Sequence, residues 1–162
     1  MGMLIKVLFV CSGNLCRSPF AEAVLKKLIE QDGIEGIEVA SAGTIAIGGE
    51  PAPENIINMA LQMGIDLHDH STRMLTAETL EESDKIVIME EGHRQAILRL
   101  RPDVEDRILY LGSFGSGGAW GNEIPDPIGQ GPMTYRTCYS RIVEAVHGLL
   151  DSLVEEIKSK KN

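Results

Sequence analysis

Apolar residues along the chain fall into short continuous runs, separated by longer stretches with helical spacing of apolar and polar positions. The first run, residues 4–10, contains a single lysine, which is typical of a strand buried on both faces of a parallel sheet. Shorter apolar runs at residues 37–40, 85–89 and 107–110 predict three further strands. The pattern therefore indicates four strands distributed along the whole chain.

The stretches between these runs carry the signals of helices. Pro19 suits the first turn of a helix that follows the first strand, and Gly64 ends a helix predicted over residues 54–63. Residues 76–82 and 93–100 predict two shorter helices. The last helix is marked by an apolar stripe made of Ile142, Val146, Leu149, Leu150, Leu153, Val154 and Ile157. Alternating strands and helices predict an α/β fold, with an open, doubly wound parallel sheet and helices on both faces.

Length, charge and cysteine content limit the possible functions. The 162 residues suit a single domain, residues 1–162, and the net charge of −9 argues against nucleic acid or an anionic membrane as partner, since both require a basic surface. No apolar run reaches the roughly 18 residues of a membrane span. Three cysteines, two of them in one short loop, indicate thiol chemistry in a reducing compartment, the cytoplasm, rather than a disulfide framework.

The loop after the first strand has the composition of an anion site. Sites in open parallel sheets lie beyond the carboxyl ends of strands, and Cys11 follows the first predicted strand. A helix N-terminus and the cation of Arg17 both favour a reactive thiolate there. Gly13 and Asn14 tolerate left-handed backbone angles that turn N–H groups inward, and the planar Arg17 can bind two phosphoryl oxygens. With Cys11 as nucleophile, the expected phosphate-binding residues are Ser12, Gly13, Asn14, Leu15, Cys16, Arg17 and Ser18.

At these residues the chain resembles the low-molecular-weight protein tyrosine phosphatase family, which includes a branch of protein arginine phosphatases. The resemblance extends to residues 41–44, 70–73 and 126–127, and so covers nearly the whole chain. It implies a flavodoxin-like sheet with strand order 2-1-3-4. It also implies a phosphatase that hydrolyses a protein phosphomonoester through a cysteinyl-phosphate intermediate, with a phosphorylated protein or peptide as partner and no metal or cofactor. The sequence leaves the oligomeric state open.

Asp126, which precedes Pro127, is the third expected catalytic residue beside Cys11 and Arg17. The leaving oxygen of a phosphate ester must be protonated, and a positioned carboxylic acid can do this before it deprotonates the attacking water. An Asp-Pro pair in a loop is by itself usually a turn. The catalytic assignment of Asp126 therefore depends on the resemblance.

The histidine pair His68 and His70 has two interpretations. Both could bind a metal, although no third ligand lies nearby in the sequence. The resemblance implies instead that His70 and Ser41 join Asn14 and Ser18 in a hydrogen-bond network that supports the loop.

The remaining histidines and cysteines carry weaker signals. His93 and His147 are expected to be ordinary surface or helix residues, and Cys138 is expected to be buried packing near the start of the last helix. The resemblance implies that Cys16 can pair with Cys11 in a reversible disulfide that protects the nucleophile from irreversible oxidation.

The expected substrate pocket departs from the family pattern. Tyrosine-specific members place an aromatic residue where this chain has Ile128, and the opposite wall aligns with Ile47. Aliphatic side chains stack a phenyl ring less well than aromatic faces do, although Trp120 in the glycine-rich loop of residues 112–131 could substitute. Arginine phosphatases tend to carry a small polar residue in place of Leu15, which leaves less room for a guanidino group. Phosphotyrosine is the first candidate substrate and phosphoarginine the alternative.

Two alternative functions share the same loop. Arsenate reductases of this fold need two further cysteines around residues 86–99, where this chain has none. A non-catalytic phosphate-binding module would lack the nucleophile or the acid, whereas Cys11, Arg17 and Asp126 are all present. Turnover separates an enzyme from such a module.

Overall fold

A four-stranded sheet forms the centre of the protein, whose computed structural model describes residues 3–116 and 121–161. The strands are β1 (Ile5–Cys11), β2 (Ile37–Gly43), β3 (Lys85–Ile88) and β4 (Ile108–Tyr110). They lie in the order β2-β1-β3-β4, and each neighbouring pair is parallel. The expected α/β fold with strand order 2-1-3-4 is confirmed.

Helices cover both faces of this sheet. They are α1 (Arg17–Asp32), α2 (Glu54–Gln62), α3 (Ala77–Glu82), α4 (Glu91–Leu100) and α5 (Pro132–Lys161). One hydrophobic core joins the sheet to α1, α2 and α5, and a second, smaller core joins its other face to α3 and α4. Within residues 3–116 and 121–161, no helix has both the length and the hydropathy needed to cross a membrane.

The central strand β1 explains why its apolar run is continuous. Val7 and Phe9 belong to the larger core, whereas Leu8 and Val10 belong to the smaller one. All four side chains are almost completely buried. Because successive residues of a strand point to opposite faces, a strand covered on both faces must be apolar at every position. This buried strand holds its last residue, Cys11, in a fixed position.

Strand β2 is longer than the apolar pattern predicts. It continues to Gly43, and its last residues pair with the end of β1: Ser41 lies opposite Phe9, and Gly43 lies opposite Cys11. The prediction for residues 37–40 stopped early because the following residues are small and partly polar. The added length brings Ser41 and Gly43 beside Cys11.

The glycine-rich segment, residues 112–131, was expected to be one long loop. It begins inside a short 3₁₀ helix, Leu111–Phe114. This helix packs closely on α5, because Gly148 of α5 has no side chain and the carbonyl oxygen of Phe114 can approach its backbone. Trp120 lies outside the described residues. The second part of the segment leads through Asp126 to the start of α5.

Candidate active site

The loop of residues 11–18 connects β1 to α1 and surrounds the thiol of Cys11. Cys11 is only 3% exposed, and its Sγ lies 2.9 Å from the Oγ of Ser18 in the first turn of α1. The side chain of Cys16, at the N-cap of α1, makes no capping hydrogen bond. The N–H groups of a helix's first turn have no partner within the helix, and they favour negative charge. The loop therefore provides a place for an anion next to Cys11.

Asn14 fixes the turn of this loop. Its φ angle of 57° lies in the left-handed region, and the residue is fully buried. Its Nδ2 donates to the Oγ of Ser18 (2.8 Å) and of Ser41 (2.9 Å), while its Oδ1 accepts from the backbone N–H of Arg73 (2.9 Å). Asparagine tolerates this backbone conformation better than most residues, and the three hydrogen bonds hold it there.

The two supporting residues expected from the sequence both reach Asn14. His70 donates from Nε2 to the carbonyl oxygen of Asn14 (2.7 Å), and Ser41 accepts from its amide. Ser41 in turn donates to the Oε1 of Glu22 on α1 (2.6 Å). Glu22 was not expected from the sequence. It adds a charge-assisted hydrogen bond that orients the hydroxyl of Ser41 so that its oxygen faces the Asn14 amide.

Strand β2 approaches the loop more closely than a side chain would allow. A Cβ atom on Gly43 would lie 2.5 Å from the backbone oxygen of Ser12 and 2.8 Å from the backbone nitrogen of Asn14. Just beyond Gly43, the N–H groups of Thr44 and Ile45 donate to the oxygens of Cys11 and Ser12, both at 3.0 Å. Glycine is therefore required at this position for the strand to bind the loop.

Arg17 is buried at the end of the loop with only 1% of its surface exposed. Its Nη1 donates to the carbonyl oxygen of Ile124 (2.8 Å) and lies 3.3 Å from the Oε2 of Glu90. Its Nη2 lies 3.6 Å from the Oδ2 of Asp126. A buried cation must be paired and hydrogen-bonded, and these partners satisfy that requirement while fixing the guanidinium plane.

Asp126 lies within reach of Arg17, although more than a hundred residues separate them in sequence. Its Oδ1 accepts from the backbone N–H of Ile128 (3.0 Å), and its side chain is 37% exposed. One carboxylate oxygen is thus fixed by its own loop, while the other lies towards Arg17. The structure brings Cys11, Arg17 and Asp126, the three expected catalytic residues, to the same end of the sheet.

His93 was expected to be an ordinary surface or helix residue; it does belong to a helix, but it is buried and does not lie on the surface. It lies in the first turn of α4 but is only 3% exposed, and its Nε2 lies 3.0 Å from the Oγ of Ser12. Its Nδ1 accepts from the backbone N–H of Glu90 (3.1 Å), while the Glu90 side chain accepts from the His93 backbone N–H. Burial, with repulsion from Arg17, lowers the pKa of His93 to about 4.

The burial of neutral His93 makes stability depend on pH. The unfolded chain binds a proton near the ordinary pKa of 6.5, whereas the folded chain binds it only near 4, so stability rises with pH across that window. This contribution is complete above pH 6.5 and is lost as the pH falls towards 4. Between pH 7.5 and pH 5, wild type should lose about 2 kcal/mol more free energy of unfolding than His93→Asn, as measured by urea denaturation. Equal losses of the free energy of unfolding in wild type and His93→Asn would contradict the lowered pKa of His93.

The other two cysteines are buried thiols. Cys16 Sγ lies 3.3 Å from the hydroxyl of Tyr139, whose ring stacks on Phe20 with centroids 3.8 Å apart. Burial raises the pKa of Cys16 to about 12, and it also raises the pKa of Cys138 well above its ordinary value. Cys138 lies in α5 and is 5% exposed, so its expected burial is confirmed. The proposed pairing of Cys16 with Cys11 stays a prediction.

The residues expected to line the substrate pocket lie on exposed loops. Ile47 is 73% exposed and Ile128 is 53% exposed, so both side chains are free to contact a ligand. The side chain of Leu15 is partly buried and lies over Gly13, where an added Cβ would be 3.4 Å from its Cδ1. Leu15 thus belongs to the loop of residues 11–18, whereas Ile47 follows β2 and Ile128 follows Asp126.

The metal interpretation of the histidine pair gains no support from its geometry. His68 pairs with Asp66 at 2.6 Å, whereas His70 points to the backbone of Asn14. Among residues 3–116 and 121–161, no group of three or more His, Cys, Asp or Glu side chains has the arrangement of a metal site. His70 is therefore better described by its contact with the loop.

Comparisons with known proteins cover almost the entire chain. A family model described as low molecular weight phosphotyrosine protein phosphatase matches residues 6–161. The probable low molecular weight protein-tyrosine-phosphatase AmsI of Erwinia amylovora is 32% identical over 156 residues, which is 95% of each chain. The crystal structure of AmsI superposes with a TM-score of 0.83 at 30% identity, over 93% of each chain. A protein-arginine-phosphatase of Geobacillus stearothermophilus is 31% identical over 156 residues, 96% of this chain and 98% of the relative.

Proposed function

Because the chain belongs to the low-molecular-weight protein tyrosine phosphatase family of hydrolases, we propose that Cys11 attacks the phosphorus atom of a phosphorylated protein residue and holds the phosphoryl group as a cysteinyl-phosphate. The observation that carries this proposal is the position of the Cys11 thiol, 2.9 Å from the Ser18 hydroxyl at the N-terminus of α1. A hydrogen bond and the helix N-terminus both stabilise the thiolate, which is the reactive form.

Arg17 and the loop bind the phosphoryl oxygens in this proposal. The contacts of Arg17 with Ile124, Glu90 and Asp126 hold its guanidinium in one orientation before substrate arrives. Little covalent chemistry is required of the protein in phosphoryl transfer, so prepositioned donors supply most of the stabilisation of the transition state. The residues assigned to this binding are Ser12, Gly13, Asn14, Leu15, Cys16, Arg17 and Ser18.

Asp126 acts as general acid and then as general base. In the first step the P–O bond to the leaving group breaks as the P–S bond to Cys11 forms, and Asp126 gives its proton to the leaving oxygen. In the second step Asp126 takes a proton from water, which attacks phosphorus and releases inorganic phosphate with the Cys11 thiolate. The partly exposed carboxylate beside Arg17 is suited to both transfers because solvent and substrate can reach it.

The substrate we propose is a phosphotyrosine residue of a protein. The side chains of Leu15, Ile47 and Ile128 are aliphatic, and two of them are largely exposed, so they offer apolar contact to a phenyl ring. Phosphoarginine is the second candidate because the similar Geobacillus protein is a protein-arginine-phosphatase. Since the proposed chemistry needs a free thiol, we place the enzyme in the reducing cytoplasm.

Two peptides of one sequence, carrying phosphotyrosine or phosphoarginine, test the substrate assignment. We expect a higher kcat/KM for phosphotyrosine in the wild type, and we expect Leu15→Thr to shift the ratio towards phosphoarginine, because threonine is smaller and offers a hydroxyl to the guanidino group. Leu61→Thr, on the exposed side of α2, is the matched control and should leave the ratio unchanged. A wild-type preference for phosphoarginine would reverse the assignment without affecting the proposed chemistry.

A further inference from the structure

Ser12, directly after the proposed nucleophile, has a side-chain contact that the loop motif does not explain. Its backbone oxygen accepts from the N–H of Ile45 at 3.0 Å, so its main chain is tied to the loop after β2. Its partly buried side chain instead reaches α4, where its Oγ lies 3.0 Å from His93 Nε2. These two contacts fix the residue from both sides.

The direction of the hydrogen bond between Ser12 and His93 follows from the other ring nitrogen. His93 Nδ1 accepts from the backbone N–H groups of Glu90 (3.1 Å) and Met89 (3.4 Å), so it carries no proton. A neutral imidazole then has its single proton on Nε2 and donates it to Ser12. The low pKa of His93 keeps the ring neutral in the working pH range.

Charged groups face His93 from each side, and they leave this assignment unchanged. Arg17 on α1 opposes a positive charge on the ring, while Asp126, from the loop before α5, favours one. Glu90, at the N-terminus of its own helix, has its Oε2 4.0 Å from His93 Nε2, and the same oxygen lies 3.3 Å from Arg17 Nη1. The capping interaction of α4 therefore contacts the loop at both Ser12 and Arg17.

A hydroxyl that accepts a hydrogen bond from His93 must direct its own proton elsewhere. Within residues 3–116 and 121–161, His93 is the hydrogen-bond partner of the Ser12 hydroxyl, and the Ser12 side chain is partly exposed, so a ligand at the loop can reach it. Ser12 follows Cys11 directly, and its partner atom His93 Nε2 lies 4.0 Å from the Glu90 oxygen that contacts Arg17, so the hydroxyl belongs to the loop that would bind the phosphoryl group. A bound phosphoryl oxygen is an acceptor of the required kind.

We propose that the Ser12 hydroxyl donates a hydrogen bond to the phosphoryl group bound in the loop, and that His93 is the positioning residue that keeps this proton directed at the substrate. The proposal rests on the proposed function, since it assigns one more donor to the same reaction. In the transition state the negative charge is redistributed over the phosphoryl oxygens. A hydrogen-bond donor that is already in position stabilises this charge without having to reorganise. Ser12 would thus act on kcat more than on KM.

The test uses Ser12→Ala, His93→Asn and the double variant in the full-length protein. The asparagine introduced by His93→Asn can still accept from the backbone N–H of Glu90, but its shorter side chain does not reach Ser12. Each single variant should lower kcat for p-nitrophenyl phosphate about tenfold, and the double variant should show no further loss. Ser12→Ala should also weaken inhibition by vanadate, which resembles the transition state, about tenfold more than inhibition by inorganic phosphate.

Ser152→Ala and His147→Asn repeat the same substitutions on exposed positions of α5 and should behave as wild type. If Ser12→Ala has the kcat and the vanadate inhibition of wild type, the Ser12 hydroxyl does not donate to the phosphoryl group. If the losses of kcat in the two single variants add in the double variant, His93 does not act through Ser12. If His93→Asn does not fold, the comparison of inhibition by vanadate and by inorganic phosphate in Ser12→Ala tests the Ser12 donor by itself. Absence of turnover in the wild type would instead contradict the proposed function, so the two failures are distinguishable.

Discussion

Replacing Cys11 with serine is expected to lower turnover of p-nitrophenyl phosphate by at least about 10⁴-fold, because a serine hydroxyl at this position stays protonated and attacks phosphorus poorly. Phosphate binding should survive, since the loop N–H groups and Arg17 are unchanged. Steady-state kinetics give the first quantity, and titration of the variant with inorganic phosphate gives the second.

Cys138→Ser is the matched control for Cys11→Ser. Cys138 is another buried cysteine, in α5, and the same atom is exchanged there, so any general effect of burying a hydroxyl is shared. We expect this control to retain turnover. Turnover of Cys11→Ser within about tenfold of wild type would remove Cys11 from the mechanism, whereas loss of both turnover and phosphate binding would indicate a collapsed loop.

The second large effect is expected from Asp126→Asn, and it should depend on the leaving group. Asparagine has the same shape but no acidic proton, so kcat/KM, which reports the transfer of the phosphoryl group to Cys11, should fall by about 10²- to 10³-fold for a phosphotyrosine peptide or an alkyl phosphate. The loss of kcat/KM should be much smaller for p-nitrophenyl phosphate, because nitrophenolate leaves without protonation, whereas kcat for this substrate should fall because Asp126 no longer activates the water that hydrolyses the intermediate. KM should not rise, since the substitution removes a negative charge next to Arg17.

Glu123→Gln makes the equivalent change on a nearby exposed side chain, which accepts a hydrogen bond from the N–H of Glu91. It should leave the dependence of kcat/KM on the leaving group unchanged. If Asp126→Asn hydrolyses an alkyl phosphate as fast as wild type does, the general acid is another residue.

The sequence predicts the parts of this protein that depend on local patterns. The apolar run ending at residue 10 predicts β1, which ends at Cys11, and the next helix begins at Arg17, so these two residues stand at the two ends of one short connection. These predictions succeed because strand burial and the start of a helix are properties of neighbouring residues. Asp126 lacks such a pattern, and its assignment required the resemblance to a family.

The sequence pattern does not predict which residues far apart in the chain contact each other around the loop. Ser12 and His93 are 81 positions apart, and nothing near His93 indicates that its ring is buried against the loop. The partnership of Glu90 with Arg17 is likewise set by the packing of α4 against the sheet. Glu90 and His93 cap the start of α4 reciprocally, but the S/T-x-x-E/Q pattern that marks such a pair in a sequence is absent there.

The most direct test of the central claim is to detect the phosphoryl group on Cys11. Asp126→Asn should form the intermediate from p-nitrophenyl phosphate and hydrolyse it slowly, so rapid acid quenching followed by intact mass and peptide analysis should find one added phosphoryl group. We expect that group on the peptide containing Cys11, and its absence in Cys11→Ala, which has no nucleophilic atom at this position. Release of nitrophenol with no phosphoryl-enzyme in any quenched sample, or with the group on a different residue, would contradict the cysteinyl-phosphate mechanism.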